Sequence, residues 1–476
     1  MQRGAGLVAA LLVQGVAAGS KCCRNPISRD VVVVGGGAAG AHAAVWLRDN
    51  DRSVVVVERA DQLGGHTDVY VDPVSGKPIN VGVQAWMEYK DSYSFPERMN
   101  VSTSGSMAFA PNTNEFVDFT TGLPVENYAA PGKEEMFAAL QRYLDAIEPY
   151  EDMVLPGFFD FPDPDSIPND LLMPFRDFVA KYDLEAAVPQ IWDATAMGIG
   201  DTMDVPTLWV VQAFGIPMAK AIMGTAAAAV PASGRLYDLY DAVAEFLGDD
   251  VLYSSSVVTA ERHEREGVTV TARNSETGEL TCIEAKRLLI AIEPTPENME
   301  PFRPDEAERR VFDRFGFSTV YAGILQHPSL RNATLYSNRL PSTGPSNYTE
   351  FPAAAQVGSI GYLGGTEGLF QFTAVGTDED TPESMRAVIA EAIDAMIEAG
   401  TIPASEGSLT FNAFADHGKM HPRVTADDLR AGFIQDQLAL QGHRSTWYTG
   451  AAFSAGFSTI LWKYNEVLLP GVVEGL

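Results

Sequence analysis

Apolar positions along this chain recur with two periods, and their alternation lays out an α/β protein. Residues 31–34 are four valines in a row, and a second apolar run covers 53–57. Uninterrupted runs of this length are the pattern of strands buried on both faces of a parallel sheet. Between them, residues 38–48 set Ala41, Ala44, Val45 and Leu47 along one side, which predicts a helix. Helical spacing returns at 134–147 (Met136, Phe137, Leu140, Tyr143, Leu144, Ile147) and 171–182, and a largely apolar helix is predicted over 207–223. Residues 234–248 predict a helix carrying Leu236, Leu239, Tyr240, Val243 and Phe246. Residues 382–400 predict another, ended by glycine. Two more are expected over 426–440 and 458–469. Strand patterns occupy 251–255, 268–272, 280–283, 287–292, 321–325 and 334–337. Residues 67–71 and 77–81 predict a hairpin across the turn 72–76.

The turn after the first strand carries Gly35, Gly37 and Gly40. Gly35 permits the tight turn, Gly37 lets backbone approach a pyrophosphate, and Gly40 lets the helix pack on the strand. The helix, with Ala39 in its first turn, would aim unpaired amides and its positive dipole end at the phosphates. Glu58 closes the second apolar run 18 residues after Gly40, where an acid receives ribose hydroxyls. The glycines alone would fit a loop in an unrelated α/β protein; strand, turn, helix, strand and acid in order make a dinucleotide-binding unit. A second glycine-rich stretch, 358–365, lacks a preceding apolar strand and the right spacing. It is expected to be a turn-rich loop, and no NADPH site is expected.

Charge narrows the partners. The 476 residues carry 33 Lys and Arg against 63 Asp and Glu, a formal net charge of −30, which repels nucleic acid and anionic membrane surfaces. The acidity is spread along the chain and reads as a solubility feature. Residues 1–19, a basic start followed by an apolar run and small residues, are expected to be a secretory signal peptide, so the mature chain would begin near Ser20. No later segment has the length of a membrane span. Asn100, Asn332 and Asn347 each open a glycosylation sequon compatible with export. Of three cysteines, Cys22 or Cys23 could bridge to Cys282 after export, leaving one thiol over. His417 and His421 are four apart, but Pro422 follows and no third ligand stands nearby, so no metal is expected.

The segment following the acid, Arg59-Ala60-Asp61-Gln62-Leu63-Gly64-Gly65-His66-Thr67, places a second glycine pair where a nicotinamide domain needs none. Here the sequence resembles the flavin-dependent amine oxidase superfamily, most of all its secreted fungal-type branch of β-cyclopiazonate dehydrogenase-like flavoproteins. The resemblance implies FAD, expected to be noncovalent because the three cysteines sit away from the C-terminal motif, with Glu58 on the adenosine ribose and Arg59, Gly64, Gly65 and His66 along phosphates and flavin. His66 replaces the arginine usual in the superfamily, and Asn80 stands where the family often has Asp. Val257 falls where the superfamily holds adenine through backbone atoms, and 287–292 resembles the strand that closes the FAD domain. Near the carboxyl end, Trp447, Tyr448, Gly450 and Ala451 match an aromatic–x–x–Gly motif, with Ala451 in place of the common Glu. The helix after it would face the cofactor with its amino end, at Phe457 and Ser458.

The resemblance covers residues 29–86, 234–292 and 412–470, under half of the chain. It implies a Rossmann-type FAD-binding domain built from 25–86, 234–300 and 415–476. An inserted substrate or cap domain of mixed sheet and helices, 87–233 and 301–414, completes a two-domain α/β architecture with α+β mixing. The expected activity is transfer of a hydride from a small, hydrophobic organic substrate to flavin N5, with dioxygen or another acceptor reoxidising the flavin. Alternatives are a redox-neutral double-bond isomerase of the fatty-acid isomerase kind and a non-catalytic flavoprotein. His66, Trp447 and Tyr448 are the candidate catalytic residues, Trp447 as an aromatic wall beside the flavin and His66 as a proton-transfer group. His417, Lys419 and His421 are a weaker set, as readily surface as site.

Overall fold

The computed structural model describes residues 25–105, 111–364 and 366–476. The expected signal peptide, Cys22 and Cys23 lie outside the described residues. Cys282 is buried and disulfide-bonded.

In chain order the strands of the first half are β1 (Ile27–Val34), β2 (Val54–Val57), β3 (Thr67–Val71), β4 (Pro78–Gly82), β5 (Trp86–Met87), β6 (Thr113–Val117) and β7 (Ala228–Ala229). Those of the second half are β8 (Val251–Leu252), β9 (Ser255–His263), β10 (Gly267–Asn274), β11 (Leu280–Ile290), β12 (Gly316–Gln326) and β13 (Thr334–Asn338). After them come β14 (Gln356–Tyr362), β15 (Phe370–Gly376), β16 (Thr410–Arg423) and β17 (Thr446–Tyr448).

The first sheet has the order β8-β2-β1-β11-β10-β9, with β17 also paired to β11. Strands β8, β2, β1, β11 and β17 run parallel, so their carboxyl ends share one edge. Val31, Val32 and Val33 are fully buried at its centre, as a run without polar breaks requires. The strands expected at 280–283 and 287–292 are one continuous strand, β11. Its first part pairs antiparallel with β10 and its second part parallel with β1. Exposed Glu284 and Lys286 break the apolar run but sit on one face of an unbroken pleat. The helix Ala38–Asp49 closes tightly on β1, because a Cβ on Gly40 would overlap the Gly35 carbonyl. The C-terminal helix Ser458–Val473 packs beside it, Asn465 Nδ2 donating to Ala39 O at 2.7 Å.

The second sheet has the order β16-β12-β15-β14-β13-β6. The helix Pro382–Glu398 covers one face and buries Met385, Ile389, Ile393 and Met396 against Ile360, Phe370 and Phe372. The loop expected at 358–365 is strand through Tyr362. Val357 and Ile360 are buried, and Gly358 and Gly361 allow close packing within the strand, while Gly364, at φ +77°, turns the chain after it. A Cβ on Gly358 would overlap Met197 Sδ.

Three expected helices are each broken in two. Pro174 separates Asn169–Leu172 from Phe175–Tyr182, and Gly215 with Pro217 separates Thr207–Ala213 from Ile216–Met223. Gly432, at φ +89°, separates Ala426–Arg430 from Phe433–Leu438.

The expected domain edges at 300/301 and 414/415 also move. Strand β16 stays in the second sheet to Arg423. The helix Glu306–Phe312 docks on the first sheet, where Glu308 pairs with Arg262 of β9 at 2.9 Å. No described helix is long and apolar enough to cross a membrane.

Candidate functional site

A cavity of about 1860 Å³ follows the carboxyl edge of the first sheet and continues under the second. An ordinary ligand pocket holds about 300–1,000 Å³, so this one accommodates more than a single small molecule. Gly35, Gly37 and Ala39 line it, and the Gly64–Gly65 turn lies directly against them. Gly64 N donates to Gly36 O at 3.0 Å. Gly65 has φ +56°, and a Cβ on it would stand 2.9 Å from Gly37 Cα. Two bare backbones therefore form one groove, the shape that lets amides approach a pyrophosphate. Gly40 does not line the cavity and serves helix packing alone.

Glu58 stands at the end of β2. Its Oε2 accepts from Gly36 N at 2.6 Å and its Oε1 from Ala60 N at 2.8 Å. The carboxylate is thus aimed before any ligand arrives, with lone pairs left for ribose hydroxyls. Arg59 and Val257 line the same end. Gly450 (φ +114°), Ala451, Phe457 and Ser458 line the middle, and no side chain caps the helix that starts at Ser458. Thr449 Oγ1 donates to Asn465 Oδ1 at 2.6 Å, tying the Gly450 turn to both helices behind the groove. The cradle, the acid and the open helix terminus together fit a dinucleotide. Asn80 is structural. Its amide donates to Gly234 O at 2.9 Å and accepts from Leu236 N at 3.1 Å, a double role an ionised Asp lacks.

Where the groove meets the second sheet, histidines gather. His66 precedes β3, and His417 comes from β16, the edge strand. Their rings lie 5.2 Å apart at 57°. Gly82, at φ +90°, makes room for them: a Cβ there would sit 2.6 Å from His417 Cε1. His421 also lines the cavity, backed by Gly198. Burial pushes His66 down to about 3, helped by His417 when that ring is protonated and by the charge of Arg59. Burial also holds His417 and His421 at about 4, Arg423 and His66 adding to the shift at His421. All three are neutral imidazoles at neutral pH. Lys419 is held by Asp378 at 3.1 Å and Glu297 at 3.9 Å. The set that the sequence left between surface and site is therefore cavity wall. The signal was strand alternation: Ala415 and His417 are buried on either side of exposed Asp416.

Trp447 and Tyr448 are elsewhere. They form β17, in register with Leu289 and Ile290 of β11, and neither lines the cavity. The Arg287 guanidinium lies over the Trp447 ring at 5.3 Å. Tyr448 is 1% exposed, stacks on Phe453 and donates its hydroxyl to Glu308 Oε1 at 2.6 Å. Strand pairing assigns both side chains to the packing of the first sheet; the flavin-wall placement expected for Trp447 is not found. An aromatic residue that does stand on the chamber wall is Tyr362 of β14, among Val320, Ala322, Leu335 and Leu369.

The sequence matches the NAD(P)-binding Rossmann-like domain family over residues 33–97. It is 33% identical over 456 residues to the FAD-dependent oxidoreductase pigF of Monascus ruber, covering 95% of this chain and 93% of that one. It is 31% identical over 449 residues to beta-cyclopiazonate dehydrogenase of Aspergillus oryzae, covering 94% and 93%. Among solved structures, a CLA-producing fatty acid isomerase from P. acnes superposes with a TM-score of 0.70 at 16% identity, covering 93% and 98%. Cyclohexylamine oxidase from Brevibacterium oxydans superposes with a TM-score of 0.59 at 18% identity, covering 94% and 99%.

Proposed function

Because this chain belongs to the family of FAD-dependent oxidoreductases that includes beta-cyclopiazonate dehydrogenase, we propose that it is a secreted enzyme moving a hydride from a small hydrophobic substrate to flavin N5. FAD, the cofactor of this family, supplies the hydride-accepting ring when bound. Gly35, Gly37 and Gly65 give its phosphates a backbone groove, Glu58 receives the ribose, and the open amino end of Ser458–Val473 offers positive dipole. Glu58 and Val257 would hold the adenosine end, and His66, on the same cavity wall, would stand toward the flavin end.

The observation that carries this reading is continuity: one cavity, whose wall includes His66 and His417, joins the dinucleotide groove to a chamber where apolar Val320, Ala322, Leu335, Tyr362 and Leu369 stand with polar Asn112, Asn114, Gln371 and Thr373. The chamber excludes water from the reacting carbon, and a neutral imidazole accepts the proton that leaves with the hydride. The disulfide at Cys282 and the exposure of Asn100, Asn332 and Asn347 support export.

Anaerobic mixing with small hydrophobic amines, alcohols and unsaturated acids tests the chemistry. Net flavin bleaching supports oxidation. Product formed without bleaching overturns it in favour of isomerisation, and ligands that bind without either outcome leave a non-catalytic flavoprotein.

A further inference from the structure

Glu293 is an ionisable residue of the cofactor groove that the dinucleotide signature does not use. After β11 ends at Ile290, the chain continues along the cavity wall through Ala291, Ile292 and Glu293. This segment faces the glycine turn, since a Cβ on Gly35 would stand 2.7 Å from Ile292 Cγ2 and 2.9 Å from Ala291 O. On the other side of β11 lies β17, which leads into Gly450. Glu293 therefore leaves the sheet between β1 and β17, at the carboxyl edge across which an open parallel sheet receives its dinucleotide.

Its position is built. The Glu293 carbonyl accepts from Thr295 N at 2.9 Å and from Asn298 Nδ2 at 2.9 Å. Thr295 in turn caps the short helix Pro296–Met299. The carboxyl Oε2 is buried and has no hydrogen-bond partner among the described residues. The charged groups on the flanking elements are Glu297 and Lys419, which pair with each other, and Lys419 is further held by Asp378. His66, from the turn before β3, and His417, from β16, are neutral. Burial alone pushes the Glu293 carboxyl up to about 8, with no charged neighbour contributing. A buried polar atom without a partner is uncommon, and one that lines a ligand groove points to a partner supplied by the ligand. An ionised carboxylate there would repel the cofactor's phosphates, whereas a neutral acid can donate to an oxygen.

We propose that Glu293 is a cofactor-binding residue that acts as a neutral acid, donating its carboxyl hydrogen to an oxygen of FAD. This rests on FAD as the cofactor and not on the identity of the substrate. The test is titration of FAD-stripped protein with FAD, followed by quenching of flavin fluorescence. Wild-type Kd should be steady below about pH 8, the pKa of the FAD-free protein, then rise by up to about ten-fold per pH unit until it levels off above the higher pKa of the complex. Glu293→Gln keeps a donor that does not titrate, so its Kd should match wild type at pH 7 and stay level above it. Glu293→Ala should bind about ten-fold more weakly throughout, with near-ultraviolet circular dichroism confirming that both variants are folded. Titration with ADP and with riboflavin distinguishes a diphosphate oxygen from a ring oxygen as acceptor. A wild-type Kd level to about pH 10, or a Glu293→Gln Kd that rises in parallel with wild type, overturns the proposal.

Discussion

His66 and His417 are neutral because the cavity wall surrounds them, which leaves each a free ring lone pair although the same burial makes it a weaker base than an exposed imidazole. Replacing His417 with Gln should slow flavin reduction about 10²-fold while FAD stays bound, read by stopped-flow absorbance. His66→Ala should slow it too, or shift the flavin spectrum. In wild type the reduction rate should hold near neutrality and fall as pH drops through about 4, where His417 charges. Trp447 gives the opposite expectation. Its ring packs under Arg287 on the first sheet, so Trp447→Ala should leave flavin reduction within about 2-fold of wild type and cost about 1–3 kcal/mol of stability. Thermal unfolding measured beside turnover separates the two effects.

Among the elements, the two glycine turns matter most. Gly65 has φ +56°, and a Cβ added to it would stand 2.9 Å from the Gly37 backbone, so neither conformation nor space admits Ala. Gly65→Ala should therefore weaken FAD binding at least about ten-fold with the fold retained, measured by equilibrium dialysis. Strand β16 has a comparable role on the other side of the cavity. As the edge strand of the second sheet it delivers His417, Lys419 and His421 to the groove of the first. The aromatic–x–x–Gly segment 447–450 shows how an element overrides a motif. Its strand pairing with β11 turns Trp447 and Tyr448 into sheet packing and leaves Gly450 and Ala451 to line the cavity.

For the whole molecule, the buried histidines set an acid limit. His42, His66, His417 and His421 are all held by burial at about 3 to 4, against about 6.5 in an unfolded chain. The unfolded chain therefore binds more protons between those values. The histidine contribution should be full above about pH 6.5 and decline as pH falls toward about 4, outweighing the opposing contribution of Glu293, which is lost as pH rises through about 8. Glu308 adds to this at lower pH. Burial raises its carboxyl, but the hydrogen bond and charge of Arg262 outweigh that and hold it below the usual range. Its contribution is present above about pH 4.3 and lost as pH falls further. Urea unfolding midpoints across pH 4 to 8 check the expected slope; a midpoint independent of pH contradicts it.

The amino acid sequence by itself determined the dinucleotide unit. Valine runs, glycine spacing and the acid after the second strand are local in the chain, and local sterics and burial dictate their conformation. It also determined that Gly64, Gly65, Val257, Gly450 and Ser458 belong to the same cavity, because the resemblance carried them together. Only the tertiary structure decided which polar groups face that cavity. His417 and Glu293 reach it through the pairing of β16 with β12 and of β11 with β1 and β17. Those contacts join residues far apart in sequence, and no local period encodes which strands become neighbours. The same long-range pairing withdrew Trp447 and Tyr448 from the groove. Whether a side chain is a ligand or a packing residue thus depended on which sheet edge its strand joined.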